Sequence, residues 1–153
     1  MERLPGRHNY LICFTFFMVF ACTEIPEPEQ LDHKNIAFDT ANSTVNFCES
    51  FPLEWDSALI IHPYMRVESW DDLELENIDP LEERLEIMES IDWKHYLIFV
   101  KGSQVVAFSD IPRGYLDFRI MHGTSRPTFI TREDCTLKFI DAEGFNTLII
   151  PDI

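Results

Sequence analysis

His95-Tyr-Leu-Ile-Phe-Val-Lys-Gly-Ser-Gln-Val-Val-Ala-Phe-Ser109 is the stretch that decides the fold. Two apolar runs, His95–Val100 and Gln104–Ser109, flank Lys101-Gly102-Ser103, a length that closes a hairpin with Gly free to take positive φ. Both runs are apolar on both faces, which places them in the middle of a sheet. Further along, Cys135–Ile140 and Phe145–Ile150 form a second hairpin around Asp141-Ala-Glu-Gly144, with Gly144 in the left-handed position. Upstream, Ser57–His62 is a short apolar run ended by Pro63, and Asn42–Cys48 alternates as an earlier strand. Tyr115–Ile120 and Thr128–Thr131 are further strand candidates.

One helical stretch separates Ser57–His62 from the first hairpin. Asp79-Pro80-Leu81-Glu82 reads as a start signal, with Asp79 as N-cap, Pro80 at the first helical position and Glu82 at the third. Leu81, Leu85, Met88 and Ile91 then recur at helical spacing as one apolar stripe, with Ile87 at its edge. Ser69-Trp70-Asp71-Asp72 is a start signal for a shorter helix before it. The pattern predicts an α+β domain: a mostly antiparallel sheet of five to seven strands with one or two helices packed on one face.

The chain has 153 residues, and 27 Asp and Glu against 12 Lys and Arg give a net charge of −15. Nucleic acid is disfavoured as a partner, because phosphate binding needs a basic stripe. The N-terminus reads unlike the rest. Arg3 and Arg7 precede Tyr10–Ala21, twelve residues without a charge. That run falls short of the roughly 20 apolar residues a membrane span needs and has the proportions of a secretory h-region. Val19-Phe20-Ala21-Cys22 resembles the bacterial lipobox, although Phe20 stands where a small residue is usual. The resemblance implies a signal peptide over 1–21, cleavage before Cys22, and fatty acylation at that residue, as a palmitate-type membrane anchor. Thr23 in place of an Asp favours the outer membrane over the inner where the organism has one. Loss of Glu2, Arg3 and Arg7 with the leader turns −15 into −16.

Residues 22–41 are polar, acidic and punctuated by Pro26 and Pro28, and read as a flexible acidic tether, with a single domain over 42–153. Export would leave Cys48 and Cys135 as an even pair in an oxidising compartment, either bridged or buried as two thiols. Strict alternation puts Cys48 on the face opposite Val45 and Phe47. A bridge therefore requires the strand to end or bulge near Cys48.

At Phe51-Pro-Leu-Glu-Trp-Asp-Ser-Ala-Leu-Ile-Ile-His-Pro-Tyr64 the chain resembles a group of small bacterial exported proteins and lipoproteins with a Trp-Asp pair, a short strand and then Pro-Tyr. Leu97–Val106, Pro112-Arg113 and Asp117-Phe118 are similar to the same group. The resemblance implies export and this architecture, and brings no assigned activity.

Residues 68–92 carry eleven acids and one base, Arg84. Asp71, Asp72, Glu74, Glu76, Glu82, Glu86 and Glu89 form a candidate face for a basic protein partner, against the plainer reading of a solvated helix face. They lack the spacing and Gly of a calcium loop. No histidine pair stands at metal-ligand spacing, and no nucleophile elbow or phosphate loop is present, so neither a metal nor a cofactor is expected. Trp55 and Asp56 read as a turn anchor, with ligand recognition as the alternative. The expectation is a lipid-anchored, non-catalytic binding module of the cell envelope. Its alternatives are an acidic, immunity-type inhibitor and an enzyme built on His95, His122 and the 122–127 loop, or on Ser109, His122 and Asp117.

Overall fold

The computed structural model describes residues 26–65, 73–120, 127–142 and 145–150. The domain is α+β and mostly strand, but its strands are shared between two mixed five-stranded sheets instead of one. The first sheet contains β1 (Glu29–Gln30), β4 (Ser57–Ile61), β5 (Lys94–Lys101), β6 (Gln104–Pro112) and β8 (Thr128–Thr131), in the order β1-β6-β5-β4-β8. The second contains β2 (Phe38–Asp39), β3 (Thr44–Asn46), β7 (Asp117–Ile120), β9 (Thr136–Ala142) and β10 (Phe145–Ile150), in the order β2-β3-β9-β10-β7. All pairings are antiparallel except β1 with β6 and β7 with β10.

The two apolar faces of β4 and β5 each have their own cover. Ala58, Ile60, Leu97 and Phe99 face the second sheet and join Val45, Phe47, Phe118, Leu137 and Leu148 in one core. Leu59, Ile61, Tyr96 and Ile98 face the other way, onto Leu81, Leu85 and Met88. Those three come from a 3-10 turn, Asp79–Leu81, running into α2 (Glu82–Ile87) and the turn after it. The apolar stripe predicted for this helix is therefore the buried one, and Ile87 at its edge is 47% exposed. Its start differs from the prediction. Ile78 occupies the cap position, no side chain caps the turn, and Asp79 lies inside it. The shorter helix at 69–72 falls outside the described residues.

The central hairpin closes as expected, with Lys101 opposite Gln104 and Gly102 at φ 62°. Asp56 locks it to β4: its carboxylate accepts the Gly102 N–H at 2.8 Å. Beside it, Trp55 is fully buried under the Arg132 guanidinium, which donates to the Leu53 carbonyl at 2.8 Å. The Trp-Asp pair is thus a turn anchor.

The tether reading fails over the described part of 22–41. Gln30 pairs with Phe108, and Leu31 N–H donates to the Phe108 carbonyl at 2.8 Å. Ile36 is buried, and Leu31 and Phe38 pack against the inter-sheet core. Ser109 donates its hydroxyl to the Leu31 carbonyl at 3.0 Å. The acidic average of the segment conceals these spaced apolar residues, which supply the burial that its composition as a whole lacks. The backbone of Glu76 also bonds the start of β6, and Asn77 Nδ2 donates to the Pro26 carbonyl at 2.7 Å. The outer edge of β6 is thereby covered, which removes a template for strand addition.

Cys48 and Cys135 are bridged, with Cα atoms 5.8 Å apart and a sequence separation of 87. The condition set by alternation is met by α1 (Phe47–Ser50), a single helical turn that ends β3 at Asn46. Asn46 caps it by accepting the Glu49 N–H at 3.1 Å. That turn brings Cys48 to Cys135 at the start of β9 while Phe47 stays in the core.

Candidate functional site

The strands that meet at one end of the sandwich carry a polar cluster facing the inter-sheet core. Antiparallel pairing of β4 with β5 sets Ile61 opposite Tyr96. One step further along, His62 and His95 stand side by side, on the same side of the sheet as Ile60 and Leu97. Their ring centroids are 5.3 Å apart at an interplanar angle of 85°. From the second sheet, Asp117 at the start of β7 brings Oδ1 to 2.9 Å from His95 Nε2. Arg113, four residues earlier in the β6–β7 turn, donates Nε to Asp117 Oδ1 at 2.8 Å and Nη1 to the Asp92 carbonyl at 3.0 Å. The result is a chain of contacts, Arg113–Asp117–His95–His62, running from exposed Arg113 through buried His95 to half-buried His62.

Burial and charge set the protonation states. The Asp117 carboxyl is held well below the usual carboxylate range, first by the His95 hydrogen bond and then by Arg113, against the cost of burial. Burial pushes His95 down against the pull of Asp117. A carboxylate can only accept, so the 2.9 Å contact assigns the ring hydrogen to Nε2, which the Phe118 N–H also approaches at 3.4 Å. His62 is pulled to about 3, by burial first and by repulsion from His95 second. Two buried nitrogens, His62 Nε2 and His95 Nδ1, have no hydrogen-bond partner among the described residues. Tyr64, two residues beyond His62, is 62% exposed at φ 62°. Non-glycine residues in that backbone region carry strain and gather at functional sites.

The other side of the same sheet end carries a second cluster. Lys94, 8% exposed, donates Nζ to the Tyr96 hydroxyl at 2.8 Å and to Asp110 Oδ2 at 3.0 Å. Burial acts to lower the Lys94 pKa, but these two hydrogen bonds outweigh it and raise the value.

The expected site residues fall in several places. Glu74, Glu76, Glu82, Glu86 and Glu89 are exposed on α2 and the segments flanking it, with Glu82 and Glu86 one helical turn apart. Cys22, Asp71, Asp72, His122 and the loop up to 126 lie outside the described residues. The Ser109–His122–Asp117 triad does not assemble from its described members. Ser109 is fully buried and its hydroxyl is committed to Leu31, while Asp117 is committed to His95 and Arg113. Among the described residues no group of three or more His, Cys, Asp or Glu is arranged to hold a metal ion. The contact of His62 with His95 escaped the sequence reading because 33 positions separate them. The usable signal was that one ends a strand and the other begins the strand antiparallel to it.

No helix among the described residues is long and apolar enough to cross a membrane. No protein family model matches the chain, and neither a curated protein nor a solved structure shows significant similarity to it.

Proposed function

We propose that the chain is a lipid-anchored protein of the cell envelope, held through Cys22 and acting there as a non-catalytic binding module. The observation that carries the reading is the Cys48–Cys135 bridge, since structural disulfides persist in oxidising compartments and are rare in the cytosol. The lipobox-like Val19–Cys22 supplies the route to such a compartment. The commitment of Ser109 to Leu31 supports a binding role over nucleophilic catalysis. Intact mass of the membrane-extracted protein tests the reading. The native chain should start at Cys22 with an acyl mass added, and the Cys22→Ala variant should lack it. A native chain carrying Met1 and no acyl mass would refute the proposal.

A second reading, an acidic inhibitor of a basic protein, is favoured by α2. Glu82, Glu83 and Glu86 face solvent there, while the one base of the helix, Arg84, lies over the Phe108 ring, 5.2 Å from its centroid. Such a partner should be captured at low salt and released at about 0.5 M, where exposed charges are screened within a few ångströms.

A further inference from the structure

The Arg113–Asp117–His95–His62 chain ends in two nitrogens without a hydrogen-bond partner among the described residues, and buried polar atoms left in that condition cost stability unless something occupies them. The lysine cluster on the opposite face needs no such occupant for its cation, which has both a carboxylate and a phenol. The arrangement around His95 is that of a metal ligand with its supporting group. Histidines that bind metal through one nitrogen give the other N–H to a carboxylate, which fixes the tautomer and makes the ring a better donor. His95 gives Nε2–H to Asp117, which Arg113 fixes in turn, and Nδ1 is left as the free lone pair.

We infer that His62 and His95 form a two-imidazole site for a borderline divalent cation of the zinc class, its remaining coordination filled by water or an exogenous ligand. Two imidazoles bound to one tetrahedral ion at about 2.0–2.1 Å place their ring centres roughly 5–6 Å apart. The observed separation is 5.3 Å. Imidazole nitrogen, with no carboxylate or carbonyl oxygen in the pair, selects zinc, copper or nickel over magnesium or calcium. Entry of the ion requires the turn after β4 to yield. That turn is tied down by Tyr64 N–H to the Met88 carbonyl at 2.8 Å and by Met65 N–H to the His62 carbonyl at 3.3 Å.

The test is titration of the chelator-treated full-length chain, disulfide intact, with zinc chloride alone, followed by calorimetry and by imidazole 15N NMR. One equivalent should bind and shift the ring nitrogens of His62 and His95. His62→Gln should abolish this binding. Asp117→Asn should weaken it about 10- to 100-fold. His33→Gln, which alters a histidine of the 3-10 turn His33–Asn35, packed on the Tyr115 ring, should leave it unchanged. No zinc uptake would overturn the inference, as would uptake that His62→Gln leaves intact or that shifts neither ring. The NMR readout needs no variant, so a misfolded substitution cannot shelter the idea.

Discussion

Two polar clusters sit back to back at the end of β5, one on each face of the first sheet, and neighbouring residues seed them. Lys94 points into the helix side, where its charge is met by Asp110 and Tyr96, and Asp110 Oδ1 has no partner among the described residues. His95 points into the sandwich, where Asp117, itself held by Arg113, satisfies one ring nitrogen, while the other and His62 Nε2 have no partner among the described residues. The first cluster is a plug: a cation with its partners closes the sheet end against water. The second is charged only at its outer end and neutral within. Strand alternation alone assigns the two residues to such different surroundings.

The largest expected effect bears on the frame that holds both clusters. Replacing Cys48 and Cys135 together by Ala frees a loop of 87 positions, which the chain-entropy model values at about 4–5 kcal/mol. Urea unfolding should register that loss while the calorimetric zinc response of the folded fraction persists. Next comes a direct contrast by the same assay. Asp117→Asn removes the charged acceptor that both His95 and Arg113 bond and should cost about 2–3 kcal/mol, the scale for hydrogen bonds to a charged group. Lys94→Met should cost less, about 1–2 kcal/mol, because Asp110, with a side chain 28% exposed, can turn to water. Equal losses would erase the distinction drawn between plug and site.

Acidity separates the clusters by sign. His62 and His95 have folded pKa values below the unfolded 6.5, so the unfolded chain binds protons first and stability falls as pH drops below about 6.5. For His62, at about 3 when folded, the loss is roughly 2 kcal/mol by pH 5, and His62→Gln should flatten that limb. Asp117, depressed in the folded state, adds a further loss below about pH 4. Lys94 behaves in the opposite way. Its raised pKa contributes stability below about 10.5 that disappears as pH rises through the folded value, so Lys94→Met should flatten the alkaline limb only. Tyr64→Gly is expected to do least, under about 1 kcal/mol, because relief at φ 62° offsets the entropy Gly loses on folding.

Much of the fold was legible because local signals agreed with it. The hairpin at Lys101–Gln104, the buried stripe Leu81, Leu85 and Met88, and the strands at 57–61 and 145–150 all follow from periodicity and turn residues. The second sheet was hidden because apolar residues on both faces of a strand say that both faces are covered, without saying by what. The packing of residues 26–39 was hidden too, since Leu31, Ile36 and Phe38 follow neither helical nor strand period and gain their burial only from β6 and the inter-sheet core. At the candidate site, Asp117 and His95 were visible as residue types. Their meeting depends on the register of β4 with β5 and on the approach of β7 from the other sheet, and neither is a local property.

Docking of the N-terminal segment has a geometric consequence for any lipid carried at Cys22. Pro26 is already pinned by Asn77, and four residues of fully extended backbone reach at most about 14 Å. A protein on so short a leash would ride against the headgroups instead of sampling a wide volume of solvent. Its encounters would be confined to molecules that share the plane of the bilayer or come up to it, and its acidic body would feel every phosphate beneath it.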